Sequence, residues 1–198
     1  MNTKRFLEIG GLLAGIVLVV FGAVAIFMGV DGRSTVRDSL VAEKIVFGTV
    51  DDPAVKTYAE KWAGQPVETG DQARAFAQII HEHALGASGG LTYAEMGRFV
   101  AAANPDDPKG TSDEAAALKD ENGKPVANAA RNTWITATGL STALNMSYMA
   151  ENLALFGIVV GVALLLAGVG FIILALIVLS PVRKPVTAPA GRTAPAAG

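Results

Sequence analysis

The chain has 198 residues, of which 51% are hydrophobic, and it lacks cysteine, which excludes disulfides, thiolate metal sites and cysteine nucleophiles. The net charge is −2, but residues 31–151 contain 17 acidic and 11 basic side chains, a net charge of −6 for this part. This acidic middle lacks the concentrated basic surface that phosphate binding requires, so the composition argues against nucleic acid as a partner.

The first predicted element is a transmembrane helix at residues 6–30, after a short N-terminus at residues 1–5. Glu8 is the only ionisable residue in this apolar stretch, and it lies close enough to the end to reach the headgroup region. A helix of this length covers roughly 37 Å at a rise of about 1.5 Å per residue. The stretch is therefore long enough to cross a bilayer with some tilt.

A cleaved signal peptide is the alternative interpretation of this stretch. Lys4 and Arg5 resemble an n-region, and Ala23-Val24-Ala25 matches the small-x-small cleavage pattern. The apolar run nevertheless continues beyond the pattern and is longer than a usual h-region. We therefore predict a retained transmembrane helix.

Small residues form a stripe along this first span. Gly15, Gly22 and Gly29 recur every seven residues, and Gly11 lies four residues before Gly15. Small side chains let helix backbones approach closely in lipid, where dispersion drives association. The spacing predicts a helix-packing face, although glycine is also simply frequent in membrane helices.

The middle region, residues 31–152, is predicted to be a small helical domain. A short helix is expected at residues 36–44, an extended stretch at 45–47 and a further helical turn or two at 56–62. Thr69 and Gln72 have the spacing of a capping box, which predicts the start of a helix that ends near Gly86.

Thr92 and Glu95 repeat the capping-box spacing and predict a second helix start, with Leu91 stapled against Met96. This helix is expected to bury Met96, Phe99 and Val100 and to stop before Asn104-Pro105. A short helix is predicted at residues 111–122. From Val126 onwards we expect a helix, bent or broken at Gly139, that continues into the second span.

The second span is predicted at residues 153–179, a stretch without any charged residue. Its helix-packing face contains Gly157, Gly161 and Gly168, extended by Ala154 and Ala175. The pattern leaves open whether the two glycine faces pack within one chain or between chains. The sequence thus predicts an all-α fold, with two transmembrane helices flanking a small helical extracytoplasmic domain.

The tail at residues 180–198 is rich in proline and alanine and is predicted to be disordered in the cytoplasm. Lys4, Arg5, Arg183 and Lys184 flank the outer ends of the spans. By the positive-inside rule, both termini are predicted to be cytoplasmic and the middle region to lie outside the inner membrane.

His81 and His83 are the only histidines, and they flank Glu82. Residues at i and i+2 of a helix point about 200° apart, so the pair does not match the i, i+4 spacing of a zinc-protease helix. Acidic pairs such as Asp51-Asp52 lie in turns or helix starts, where carboxylates cap amides. We therefore predict no metal, no cofactor and no catalytic residue.

Four short motifs carry a family resemblance. They are Val36-Arg37-Asp38, Ala42-Glu43-Lys44-Ile45, Thr69-Gly70 and Gly90-Leu91-Thr92-Tyr93-Ala94-Glu95. With them the chain resembles a family of uncharacterised actinobacterial two-span membrane proteins, over the two spans and most of the middle region. Members are often labelled aromatic ring-opening dioxygenase LigA.

That label implies an extradiol dioxygenase with iron on two histidines and a carboxylate. Only His81 and His83 are available for such a site, and their spacing argues against it, so we expect no such activity. Arg37, Glu43 and Lys44 are instead expected to form a polar cluster that fixes the domain above the membrane.

The leading functional hypothesis is a non-catalytic membrane protein, a scaffold or accessory subunit of a cell-envelope complex. It is expected to be embedded in the lipid bilayer and to form a homo-oligomer or bind a membrane-protein partner. An extracytoplasmic sensing or ligand-binding module is the alternative. A metal-dependent enzyme that uses His81 and Glu82 is a remote third.

Overall fold

All the regular secondary structure is helical in residues 3–179, the part of the chain that the computed structural model describes. Four α-helices follow one another: α1 Thr3–Ala42, α2 Pro53–Ala59, α3 Gly70–Ala87 and α4 Ala129–Leu174. A 3₁₀-helix, Glu60–Trp62, follows α2, and a π-helical turn, Ala175–Leu179, follows α4. Two long apolar helices flank a smaller helical region, which confirms the predicted fold class. The predicted disordered tail lies outside the described residues.

The described residues form two compact units, 3–23 with 161–179, and Val24–Val160. In the first unit α1 and α4 run antiparallel. Gly15 lies beside Gly168, and Gly22, further along α1, lies beside Gly161, which comes earlier in α4. The outward side chains of this unit are apolar and exposed. They include Leu13, Phe21, Val162, Leu166 and Phe171.

Both long helices meet the length and composition of a membrane span, over Phe6–Ala42 and Ala129–Ile177. Only 17% of the most apolar window of each is buried. A core helix of a soluble protein would have most of such a window covered by other residues, because exposed apolar surface costs free energy in water. Lipid is the solvent in which this surface is favourable.

In the second unit α1 continues as a helix to Ala42, so the short helix predicted at residues 36–44 is the last part of α1. No proline interrupts residues 31–42, and a Cβ built on Gly32 would lie 3.4 Å from Cβ of Ala154. The chain turns after Ala42, where Lys44 adopts a φ of 54°. The predicted extended stretch follows, with Phe47 donating to Gln65 and Val67 donating to Ile45 through their backbones.

One core holds the four helices of the second unit together. It contains Leu40 of α1, Val55 of α2, Ile79 of α3 and Leu144 of α4, all at most 6% exposed. Burying four such side chains contributes roughly 1.5–3 kcal/mol each. This core positions the surfaces of α1, α3 and α4 that carry the candidate sites.

The two capping boxes have different outcomes. Thr69 and Gln72 bond reciprocally and open α3, which confirms the first. At the second, the Thr92 amide and hydroxyl both donate to Glu95 Oε2, at 2.8 and 2.7 Å, yet no helix follows. The helix predicted there is wrong.

Tertiary hydrogen bonds explain the difference. The amides of Gly97, Phe99 and Val100 donate to the carbonyls of Lys109, Thr111 and Val126, instead of to carbonyls four residues back. The short helix predicted at residues 111–122 is also wrong, because the Leu118 amide donates to the Val100 carbonyl. Residues 91–128 are a hydrogen-bonded irregular segment with isolated antiparallel bridges.

Asn128 ends this segment and starts α4. Its Oδ1 accepts from the Ala130 amide at 3.1 Å, while its Nδ2 donates to the carbonyls of Gly97 and Pro108 at 3.1 and 2.8 Å. From Ala129 the helix passes Gly139 without interruption and reaches Leu174. The prediction of continuity with the second apolar stretch is confirmed, and the predicted break is not observed.

Candidate functional sites

The glycines of the first unit lie at the contact between α1 and α4. A Cβ on Gly22 would come within 2.6 Å of the Gly161 carbonyl oxygen and 2.8 Å of the Leu165 amide nitrogen. One on Gly15 would come within 2.8 Å of the Gly168 oxygen, and one on Gly168 within 2.7 Å of the Gly15 oxygen. No side chain fits at these three positions without moving a backbone.

Gly11 is the fourth glycine of α1, and its contact is looser. A Cβ there would lie 3.5 Å from Cβ of Ala175, an ordinary van der Waals distance. A larger side chain at this position meets another side chain, which can adjust, and not a carbonyl group. Gly11 therefore permits close packing without requiring glycine.

The second unit has the same kind of contact between α1 and α4. A Cβ on Gly29 would lie 2.6 Å from the Ala154 oxygen and 2.5 Å from Cγ1 of Ile158. Gly157 is less constrained, because a Cβ there would lie 3.8 Å from its nearest neighbour, the Ala25 oxygen. In each unit, then, the small faces of α1 and α4 lie against each other within one chain.

The seven-residue spacing has a physical reason. Gly15, Gly22 and Gly29 are all buried, and helices that repeat contacts every seven residues keep a common seam by supercoiling slightly. Without side chains at the seam the two backbones approach closely, which increases dispersion contact in lipid. The remaining faces of both helices stay available to lipid or to a partner.

Glu151 of α4 joins three helices within the second unit. Its Oε1 accepts from Arg33 Nη2 of α1 at 3.1 Å, and its Oε2 accepts from the amide of Gly70 at the start of α3. The glutamate side chain is only 14% exposed. A carboxylate at a helix N-terminus is favourable because the first amides lack intrahelical partners.

Sequence patterns did not single out this junction. Arg33 is the first basic residue after the first apolar stretch, and Glu151 is the last acidic residue before the second. When two apolar helices pack antiparallel, the residue that follows the first and the residue that precedes the second lie at the same end of the helix pair. That complementarity of charge was the available signal.

The polar cluster expected from Arg37, Glu43 and Lys44 does not form. Arg37 Nη2 instead donates to Glu68 Oε2 at 2.8 Å, in a pair whose arginine is 64% exposed. Glu68 lies in the segment before α3, so it is distant from Arg37 in the sequence although the two side chains are in contact. Glu43 lines a groove between α1, α3 and α4 and has no ion pair among the described residues.

The two histidines lie on α3 with separate neighbours. His83 Nε2 is 2.9 Å from Asp52 Oδ2, while the His81 ring packs edge-on against Trp134 at 5.3 Å between centroids. Within residues 3–179 no three histidine or carboxylate side chains come together in a metal-ligating group. Their different neighbours follow from the angle between positions i and i+2 of a helix.

Asp52 has a structural role as the N-cap of α2. Its Oδ1 accepts from the Ala54 amide at 2.8 Å, and this bond, helped by the nearby His83, holds the pKa of the carboxyl below its ordinary value. Hydrogen bonds from the Thr92 amide and hydroxyl likewise lower the pKa of Glu95. Both carboxylates accept hydrogen bonds from backbone amides, and for Asp52 this is the role that the sequence predicted for acidic residues in turns and helix starts.

A groove of about 600 Å³ lies between α1, α3 and α4 of the second unit. Its apolar lining includes Leu40, Phe76, Ile80, Leu140 and Leu144. Three polar residues also line it: Ser39, Glu43 and Ser147. The volume is within the range of small-molecule sites, roughly 300–1,000 Å³.

A second cavity of about 590 Å³ adjoins the first and shares Ile80 and Leu140 with it. Its remaining lining is more polar and includes His83, Asn132 and Thr136. The pattern of the sequence gave no sign of either cavity, because their walls come from helices that are far apart in the chain: α1, α3 and α4 for the first, α3 and α4 for the second.

Comparison with family models, with curated proteins and with solved structures finds no match to this chain. The family resemblance of the short motifs therefore stays a prediction.

Proposed function

We propose that this chain is an integral protein of the inner membrane that serves as a non-catalytic scaffold or accessory subunit of a cell-envelope complex. Both termini lie in the cytoplasm, and residues 31–152 form the extracytoplasmic domain. The observation that carries the proposal is the contact of α1 with α4 through buried glycines, beside outward faces that are apolar and exposed.

This arrangement suits a membrane anchor. Association through glycines uses only one face of each helix, so most of the apolar surface is left for lipid or for another membrane protein. The basic residues beyond both apolar stretches favour cytoplasmic termini. Glu151 binds Arg33 of α1 and the first amide of α3, so the proposed extracytoplasmic domain is held together at this point by a charged side chain.

The absence of cysteine makes topology directly testable. Single cysteines are introduced by Ser112→Cys in the middle region and by Ala197→Cys in the tail, and intact cells are treated with a membrane-impermeant maleimide. Labelling of Ser112→Cys in intact cells, with labelling of Ala197→Cys only after permeabilisation, is expected. The reverse pattern would contradict the proposed orientation.

A partner can be sought from the exposed face of α4. Met146 and Met149 are 53% and 56% exposed, outside the second apolar stretch. A photoreactive amino acid at Met146 is expected to capture a second copy or another membrane protein in cells, whereas one at Glu121, in the irregular segment, serves as the matched control. A protein that stays monomeric and uncrosslinked at both positions would count against a scaffold.

A sensing or ligand-binding module is the second candidate function, and the groove between α1, α3 and α4 is the observation that favours it. Both α1 and α4 line the groove and continue into the apolar stretches. A ligand that changed the packing at Leu40 and Leu144 would therefore act on helices that extend toward the membrane.

A further inference from the structure

We infer that the groove between α1, α3 and α4 binds a small amphiphile with an alkyl or aryl body and a cationic amine at one end. The inference rests on the second candidate function and names the ligand class for it. It depends on the shape, the lining and the hydrogen-bonding capacity of the groove.

The buried apolar lining of the groove indicates that the body of the ligand is an alkyl or aryl group. Leu40 and Leu144 form the floor and are 3% and 6% exposed, while Phe76 and Ile80 are half-buried in the walls. Leu140 at the rim is 54% exposed, which is costly in water for a large apolar side chain. An alkyl or aryl group in the groove would remove this surface from water.

The amine end follows from the polar atoms of the lining. The Ser39 hydroxyl already donates to the Thr35 carbonyl at 2.8 Å, and the Ser147 hydroxyl donates to the Ala143 carbonyl at 3.3 Å. The single hydrogen of each hydroxyl is already donated to a backbone carbonyl, so the hydroxyl oxygen can only accept a hydrogen bond from a ligand. Glu43 contributes a carboxylate, which also only accepts.

A ligand with hydrogen-bond donors therefore matches this groove. An ammonium group supplies three donors and a positive charge, and the charge complements Glu43 and the net charge of −6 of residues 31–151. A fatty acid carboxylate would bring a second acceptor and a like charge to the same place. Charge thus distinguishes two ligands whose apolar bodies are identical.

The site can be probed in the full-length protein, reconstituted in nanodiscs of phosphatidylcholine. Ala143 lines the groove, whereas its exposed neighbour Thr142 does not. In the cysteine-free chain, Ala143→Cys reports occupancy through its rate of maleimide labelling, and Thr142→Cys is the matched control. The probes are octylamine and octanoate, which share a chain length and differ in charge.

Octylamine is expected to slow the labelling of Ala143→Cys but not of Thr142→Cys. Octanoate should protect more weakly, by about fivefold in apparent affinity, since an exposed ion pair contributes about 1 kcal/mol. Adding Glu43→Gln should remove this difference while leaving the melting temperature unchanged, because Glu43 has no ion pair with any residue that the structure describes.

Three results would overturn the inference: equal or better protection by octanoate, protection at neither cysteine, or equal protection at both, which means adsorption to the bilayer. If Glu43→Gln lowered the melting temperature, the same comparison with Ser39→Ala and Ser147→Ala would locate the polar end. Nanodiscs expose both faces of the membrane, so the result is independent of the orientation tested with Ser112→Cys.

Discussion

Gly22 of α1 lies so close to Gly161 of α4 that a Cβ on Gly22 would come within 2.6 Å of the Gly161 carbonyl oxygen. Backbone meets backbone at this point, and no rotamer change can relieve a clash with a carbonyl group. This contact shows how the small residues of two apolar helices, far apart in the sequence, are used within a single chain.

Gly22→Leu is accordingly expected to separate α1 from α4 and to destabilise the protein by about 1–3 kcal/mol, the usual cost of overpacking. Gly170→Leu is the matched control, because a Cβ on Gly170 meets nothing within 4 Å. Thermal unfolding in nanodiscs measures both. Equal melting temperatures for the two variants would contradict the packing of α1 on α4 at Gly22.

Glu151→Ala should destabilise the second unit by about 2 kcal/mol, since charged hydrogen bonds to Arg33 and to the Gly70 amide are lost together. Glu68→Ala removes the more exposed pair with Arg37 and should cost about 0.5 kcal/mol. Thermal unfolding of the two variants compares these effects. A larger loss for Glu68→Ala would contradict the role assigned to Glu151.

Asp52→Asn should change the pH dependence of the stability of the fold. The folded-state pKa of Asp52 lies below its unfolded value, so its carboxylate stabilises the fold above about pH 4, and this contribution is lost as the pH falls through the folded pKa. Asparagine still caps α2 but is neutral.

The wild-type protein is therefore expected to melt at a higher temperature than Asp52→Asn at pH 6, with the gap closing below about pH 4. Melting temperatures measured across this range test the prediction. A gap that stayed constant with pH would show that the charge of Asp52 does not contribute.

Gly97→Ala should loosen the irregular segment at residues 91–128. A Cβ on Gly97 would meet the Thr111 backbone at 2.3 Å, next to the place where Phe99 and Thr111 exchange backbone hydrogen bonds. Limited proteolysis is expected to cut this segment faster in Gly97→Ala. Gly86→Ala is the control, because the position is open and alanine favours the α3 helix, so its cleavage rate should match the wild type or fall below it.

Local signals were sufficient for much of the fold. The apolar lengths of the two long helices, the caps at Asp52 and Thr69 and the absence of proline between Val126 and Pro181 each act through neighbouring residues of the chain. The structure has the corresponding helices. The regular spacing of Gly15, Gly22 and Gly29 was visible for the same reason. Such features depend on periodicity or on hydrogen bonds spanning a few residues.

Other features depended on partners that are distant in the sequence. The pairing of Thr92 with Glu95 formed as expected, but no helix followed. The amides of Gly97, Phe99 and Val100 donate instead to the carbonyls of Lys109, Thr111 and Val126. A capping box specifies how a helix begins only if the following amides are free to bond within the helix. Tertiary hydrogen bonds removed that freedom.

The sequence by itself determined that the chain has two long apolar helices, an acidic middle and glycines at helical spacing, since these are properties of composition and period. Only the tertiary structure decided which partner each face meets. It set Gly22 against Gly161, Glu151 against Arg33, and three helix surfaces around one groove. The reason is physical: a periodic face can be satisfied by any complementary surface, and packing in three dimensions selects one.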